Sequence, residues 1–157
     1  RADLKFAVVA APWSNPTYDG RTLLIQDLTN ASVASIALSN QYAGNCALEP
    51  TWDAIYLLSN DLNELGLTWR GNSVKVIIMF TDEEGQSYEY EPPLVLQEVA
   101  DMAVQENRHV YVFTLSTWYS YYEPITSATD GGIYNLNLSQ QEMESVLDSI
   151  VAEETCK

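Results

Sequence analysis

Basic residues are scarce in this sequence: seven Lys and Arg stand against 22 Asp and Glu, leaving a formal charge of −15 over 157 residues. Such a field opposes binding to nucleic acid and anionic membrane surfaces and favours cations or basic partners. Histidine is nearly absent, with His109 alone. No apolar run approaches the roughly 18 residues of a membrane span, so no span is expected. Arg1 opens no signal peptide, and the chain reads as a mature or excised segment. Repeats, linkers, low-complexity tracts and a Gly-rich phosphate loop are all missing, and 46% hydrophobic residues suffice for one domain with one core. The two cysteines, Cys46 and Cys156, fit either an oxidising compartment or two buried thiols. Abundant Asn, Ser, Thr and Tyr lean toward an extracellular or cell-surface setting.

The most informative stretch present is KVIIMFTDEEG, Lys75 to Gly85. Five apolar residues, Val76 to Phe80, read as a strand buried on both faces. It ends in Thr81, Asp82, Glu83 and Glu84, so carboxylates emerge where α/β sheets gather ligands. Oxygen donors there suit Mg²⁺, Mn²⁺ or Ca²⁺. Glu83 and Glu84 read as solvated surface.

Around this strand, Leu4 to Ala11 and Thr22 to Leu28 predict a hairpin. Asn30 caps a helix over Ala31 to Ser39. Pro50 opens a helix with Ile55, Leu58, Leu62 and Leu65 on one face, and Gly66 stops it. Pro92 and Pro93 start another, with Leu96, Val99, Ala100 and Ala103 apolar. Val110 to Leu115 is a second buried strand, followed by an aromatic loop, STWYSYYEP. A short helix at Ile125 to Thr129 ends at Gly131 and Gly132, and a brief strand covers Ile133 to Leu136. Ser139 and Glu142 form a capping box, with Leu138 and Met143 as its staple, for a last amphipathic helix. Strands alternating with helices imply an α/β fold: doubly wound, a mainly parallel sheet with one antiparallel edge strand and helices on both faces.

This order of elements, with FTDEEG after an apolar strand and SATDGGIYNL before a final amphipathic helix, resembles the von Willebrand factor A family over nearly the whole chain. NCALEPTWDAIYLL is similar to the Glu-bearing loop and DAI helix of integrin β-subunit I-like domains and related bacterial surface adhesins. The resemblance implies a divalent metal at the top of the sheet that binds an acidic group of a ligand. It assigns Asp82, at the end of the family's central strand, and Glu49 as metal ligands, with Thr51 the alternative if the loop shifts by two. Glu49 also has the simpler role of an acid at a helix N-terminus. The family's DxSxS strand is absent from this chain. The resemblance therefore implies that an upstream part of the polypeptide, or another chain, supplies that strand and the remaining ligands.

Tyr88, Tyr90, Trp118, Tyr119, Tyr121 and Tyr122 follow the same strand ends as Asp82 and form a candidate rim for a protein or glycan ligand. Part of that set can equally fold inward as core. His109 falls at the opposite end and reads as structural. In such a fold the last helix carries Cys156 about 25 Å from the loop holding Cys46, too far for a bridge between them. The functions left in view are a metal-dependent adhesion module, a metal-free interaction scaffold, and a Mg²⁺-dependent phosphotransfer or hydrolytic domain. The enzyme is disfavoured because no nucleophile and base pair is apparent.

Overall fold

A computed structural model describes residues 3–11, 22–39, 49–60 and 65–156. Strands β1 (Phe6–Ala10) and β2 (Leu23–Thr29) pair antiparallel, with Phe6 opposite Thr29, Ala10 opposite Leu23 and an irregular register at Val8. Helix α1 (Ala31–Ser39) packs on both strands. Its start is fixed by Asn30, whose Oδ1 accepts the Val33 N–H at 3.1 Å.

Helix α2 (Thr51–Ser59) starts directly after Pro50 and buries Trp52, Ile55 and Leu57. The expected continuation through Leu62 lies outside the described residues. Gly66 does hold the left-handed geometry expected of a helix stop, at φ 72°. Strand β3 (Lys75–Phe80) follows, then α3 (Leu96–Gln105). The prolines do not start α3, because the Ser87 hydroxyl holds the Leu94 N–H at 2.9 Å in the preceding loop. Glu98 then accepts the Val95 N–H at 3.1 Å and anchors the first turn.

Strand β4 (Arg108–Thr114) is buried at every position except His109, as its apolar run predicts. A 3₁₀ turn (Ser116–Trp118) leads into α4 (Tyr119–Ala128), so the aromatic segment expected as a loop is helical. Asp130, at φ 51°, makes a left-handed exit just before Gly131 and Gly132, where the helix was expected to end. Gly131 serves close approach instead: a Cβ there would lie 1.8 Å from the Val110 carbonyl oxygen. Strand β5 (Gly132–Asn135) and helix α5 (Gln140–Thr155) complete the chain. At the start of α5, Glu142 accepts the Ser139 N–H at 2.9 Å and Ser139 Oγ at 2.6 Å, forming the expected capping box. These bonds hold the Glu142 carboxyl below its usual range.

The architecture is α/β with two sheets. Strands β3, β4 and β5 form one parallel sheet in that order, and β1 and β2 form a separate antiparallel pair. The hairpin expected as the edge of a single larger sheet therefore stands apart, and β3, expected to be central, is an edge strand among the described residues. Ile77 and Met79 pack with Trp52, Val99, Val112 and Ile125 against α2, α3 and α4. Tyr111 and Phe113 pack on the other side with Ile150 and Met143 of α5. Helix α5 covers the middle of the sheet better than its edge. Ile78 and Phe80 consequently remain 37% and 49% exposed, which corrects the expectation of a strand buried on both faces.

Candidate functional site

The exit of β3 and the start of α2 meet at the C-terminal end of the parallel strands. The Thr81 N–H donates to the Phe113 carbonyl at 3.0 Å and extends the β-ladder by one residue. Its hydroxyl donates to Glu49 Oε2 at 2.7 Å and accepts the Glu83 N–H at 3.1 Å, a local turn that serine and threonine favour. Glu49 thereby comes beside the acids following β3. Burial raises its carboxyl above the ordinary value, the Thr81 bond opposes the rise, and the charges of Asp82 and Glu83 add to it.

Asp82 presents an exposed side chain, while its carbonyl accepts the Trp118 indole N–H at 2.8 Å. Thr51 is fully buried, so its hydroxyl serves the interior: Oγ1 accepts the Gln86 N–H at 3.2 Å and stands 3.3 Å from the Tyr122 hydroxyl. The Trp52 N–H donates to the Gln86 carbonyl at 2.9 Å, a second clasp between α2 and the loop after β3.

Asp53 organises that loop further along. It is wholly buried, and its two oxygens accept from Ser87 Oγ at 2.5 Å, the Tyr88 N–H at 2.6 Å and the Glu89 N–H at 2.9 Å. Its role was not apparent in the sequence, where it figures only as the first residue of the DAI segment. The structure also adds Thr81 as the link between the two acids, and only its place directly before Asp82 hinted at that. Glu83 and Glu84, read as solvated surface, are half-buried.

The aromatic residues divide. Tyr88 and Tyr121 are exposed, and the Tyr121 hydroxyl is hydrogen-bonded to Glu84, which raises the phenol above its ordinary value. Trp118 is half-buried, edge-on to Tyr121 at 5.7 Å, and tied to Asp82 through its indole. Tyr119 is half-buried on α4, and Tyr90 packs edge-on against Tyr56 at 5.3 Å. Tyr122 lies in the core against Trp52 at 5.2 Å, and its hydroxyl donates to the Glu83 carbonyl at 3.0 Å. Burial pushes that phenol up to about 12. Trp118 and Tyr121 thus adjoin the acids directly.

The acids at this end offer the oxygen donors suited to hard cations. Among the described residues, however, no three His, Cys, Asp or Glu side chains form a group that could hold a metal ion. Compared with known proteins, the chain matches no family model and no curated protein.

At the opposite end of the sheet, His109 Nδ1 stands 3.2 Å from Glu154 Oε1, which also accepts the Tyr111 hydroxyl. Arg108 donates to the Leu58 and Ser59 carbonyls beneath α2, with its guanidinium 5.2 Å from the Trp69 ring. These groups brace the base of the fold. Cys156 is exposed with a free thiol, and Cys46 lies outside the described residues. No helix among the described residues is long and apolar enough to cross a membrane.

Proposed function

We propose that this chain is a metal-dependent adhesion or ligand-binding module of the von Willebrand factor A type, in which a divalent cation at the top of the sheet accepts an acidic group from a partner. Glu49 and Asp82 would hold Mg²⁺, Mn²⁺ or Ca²⁺, and a DxSxS strand from an upstream part of the polypeptide or from another chain would complete the coordination. When bound, the cation supplies a positive centre with an open position for the partner's carboxylate. Trp118, Tyr121 and Tyr88 would contact the protein or glycan around it, in an extracellular or cell-surface setting. The single observation carrying this proposal is the hydrogen bond of 2.7 Å from the Thr81 hydroxyl to Glu49 Oε2, which brings Glu49 to the strand exit where Asp82 is the next residue. Burial is the larger cause of the raised Glu49 carboxyl, and the charges of Asp82 and Glu83, which a hard cation would relieve, add to it.

A metal-free interaction scaffold of the same architecture is the second reading, supported by the exposed Tyr88 and Tyr121 beside the acids, which can contact a partner without a metal. Calorimetric titration of the natural polypeptide with each cation separates the two. Saturable binding that Asp82→Ala abolishes supports the metal-dependent module. Heats indistinguishable from dilution leave the scaffold.

A further inference from the structure

Two tripeptides carry an asparagine, a residue other than proline, and then a serine: Asn30-Ala31-Ser32 and Asn137-Leu138-Ser139. This is the spacing at which an asparagine accepts an N-linked oligosaccharide, the hydroxyl two positions on being recognised with the amide. Asn15-Pro16-Thr17 has the hydroxyl but is barred by its proline. A motif this short recurs by chance, so its placement in the fold has to decide.

Both asparagines and both serines are exposed. Asn137 sits between Leu136 and Leu138, which pack inward with Ile150 and Met143, so a group added at Asn137 displaces no packing. Its backbone N–H, already bonded to Asn135 Oδ1 at 2.9 Å, is not the atom modified. Asn30 caps α1 through Oδ1, which accepts the Val33 N–H at 3.1 Å and the Ser32 hydroxyl at 2.7 Å. Glycosylation takes place on Nδ2 and leaves Oδ1 an acceptor, so the cap survives it.

We propose that Asn30 and Asn137 are acceptors of N-linked glycans, donated from a polyprenyl-diphosphate-linked oligosaccharide. Asparagine Nδ2 forms a bond to the anomeric carbon, the bond from that carbon to the diphosphate breaks, and the polyprenyl diphosphate leaves as Nδ2 loses one proton. The proposal rests on the extracellular setting of the proposed function but not on its metal. The two glycans would act differently. Leu136 donates to the Thr114 carbonyl at 2.9 Å, extending the β4–β5 ladder just as Thr81 extends that of β3 and β4. Asn137 therefore leaves the same end of the sheet as Asp82, with β5 two strand spacings, about 10 Å, from β3. Its glycan would flank the candidate site on the β5 side and leave the α2 side open to a partner. On α1, Val33 and Ile36 are exposed and three residues apart, and a glycan on Asn30 would screen that apolar face.

The test uses the full natural polypeptide expressed in its own cells with a flexible Asn-Gly-Thr acceptor tail added. Cleavage of the sugar–asparagine bond by a glycosidase in heavy-oxygen water converts each modified asparagine to labelled aspartate, read by peptide mass spectrometry. Label is expected at Asn30, at Asn137 and in the tail. Asn137→Gln should remove one glycan from the intact mass, and so should Asn30→Asp, which keeps an oxygen for the cap. Ser32→Ala should also lose the Asn30 glycan although Asn30 itself remains. A labelled tail with unlabelled Asn30 or Asn137 overturns the assignment of that residue while the extracellular setting stands. An unlabelled tail with neither asparagine modified overturns the setting and the proposal together.

Discussion

Thr81 and Glu49, 32 positions apart, share a hydrogen bond of 2.7 Å that joins the exit of β3 to the start of α2. Thr81→Val removes the donor and keeps the shape. A loss of about 1 kcal/mol in urea unfolding is expected. The Glu49 carboxyl should titrate higher still in carboxyl-carbon NMR, because this bond is what opposes its rise. An unchanged titration would show that Thr81 does not set the protonation of Glu49.

Folded Glu49 holds its proton more tightly than the unfolded chain, where the value is near 4.5. Between 4.5 and the raised folded value, the native state binds more protons, so stability from this group falls as pH rises through that window and stays lost above it. Glu49→Gln removes the ionisation. Its melting temperature should match that of the unmodified protein near pH 4 and exceed it at about pH 7. A constant offset at both pH values would contradict the assignment.

Asp53 holds two N–H groups and one hydroxyl of the loop after β3. Asp53→Ala strands those donors and should cost about 2–4 kcal/mol by denaturant midpoint. Exchange at Tyr88 and Glu89 should accelerate more than at β4. Uniform acceleration would mean that the loop has no separate anchor.

Gly85 faces the indole of Trp52, where an added Cβ would lie 1.8 Å from Cζ2. Trp52 is itself buried among Ile55, Val99 and Tyr122. Gly85→Ala should therefore displace the ring, lowering stability by about 1–3 kcal/mol and shifting tryptophan fluorescence. An unshifted spectrum with unchanged stability would show that the loop moves away freely.

Much of the fold was legible locally. Asn30 ahead of Ala31 and the Ser139/Glu142 pair mark helix starts, because capping uses side chains three residues apart. The unbroken apolar run of β4 showed a strand covered on both sides. The same pattern misled at β3, because burial depends on what covers a strand, and α5 leaves Ile78 exposed. The aromatic run at Trp118 to Tyr122 was read as loop, yet helical spacing turns Tyr122 into the core and leaves Tyr121 outside.

The candidate site divides in the same way. Sequence by itself determined that carboxylates leave the end of an apolar strand and that another precedes a helix, since both follow from local order along the chain. Only the tertiary structure decided that Thr81 joins Glu49 to that exit, that Asp53 secures the loop, and that β3 is an edge strand among the described residues. Each of those depends on residues distant in sequence meeting in space, and neither periodicity nor propensity records such a meeting.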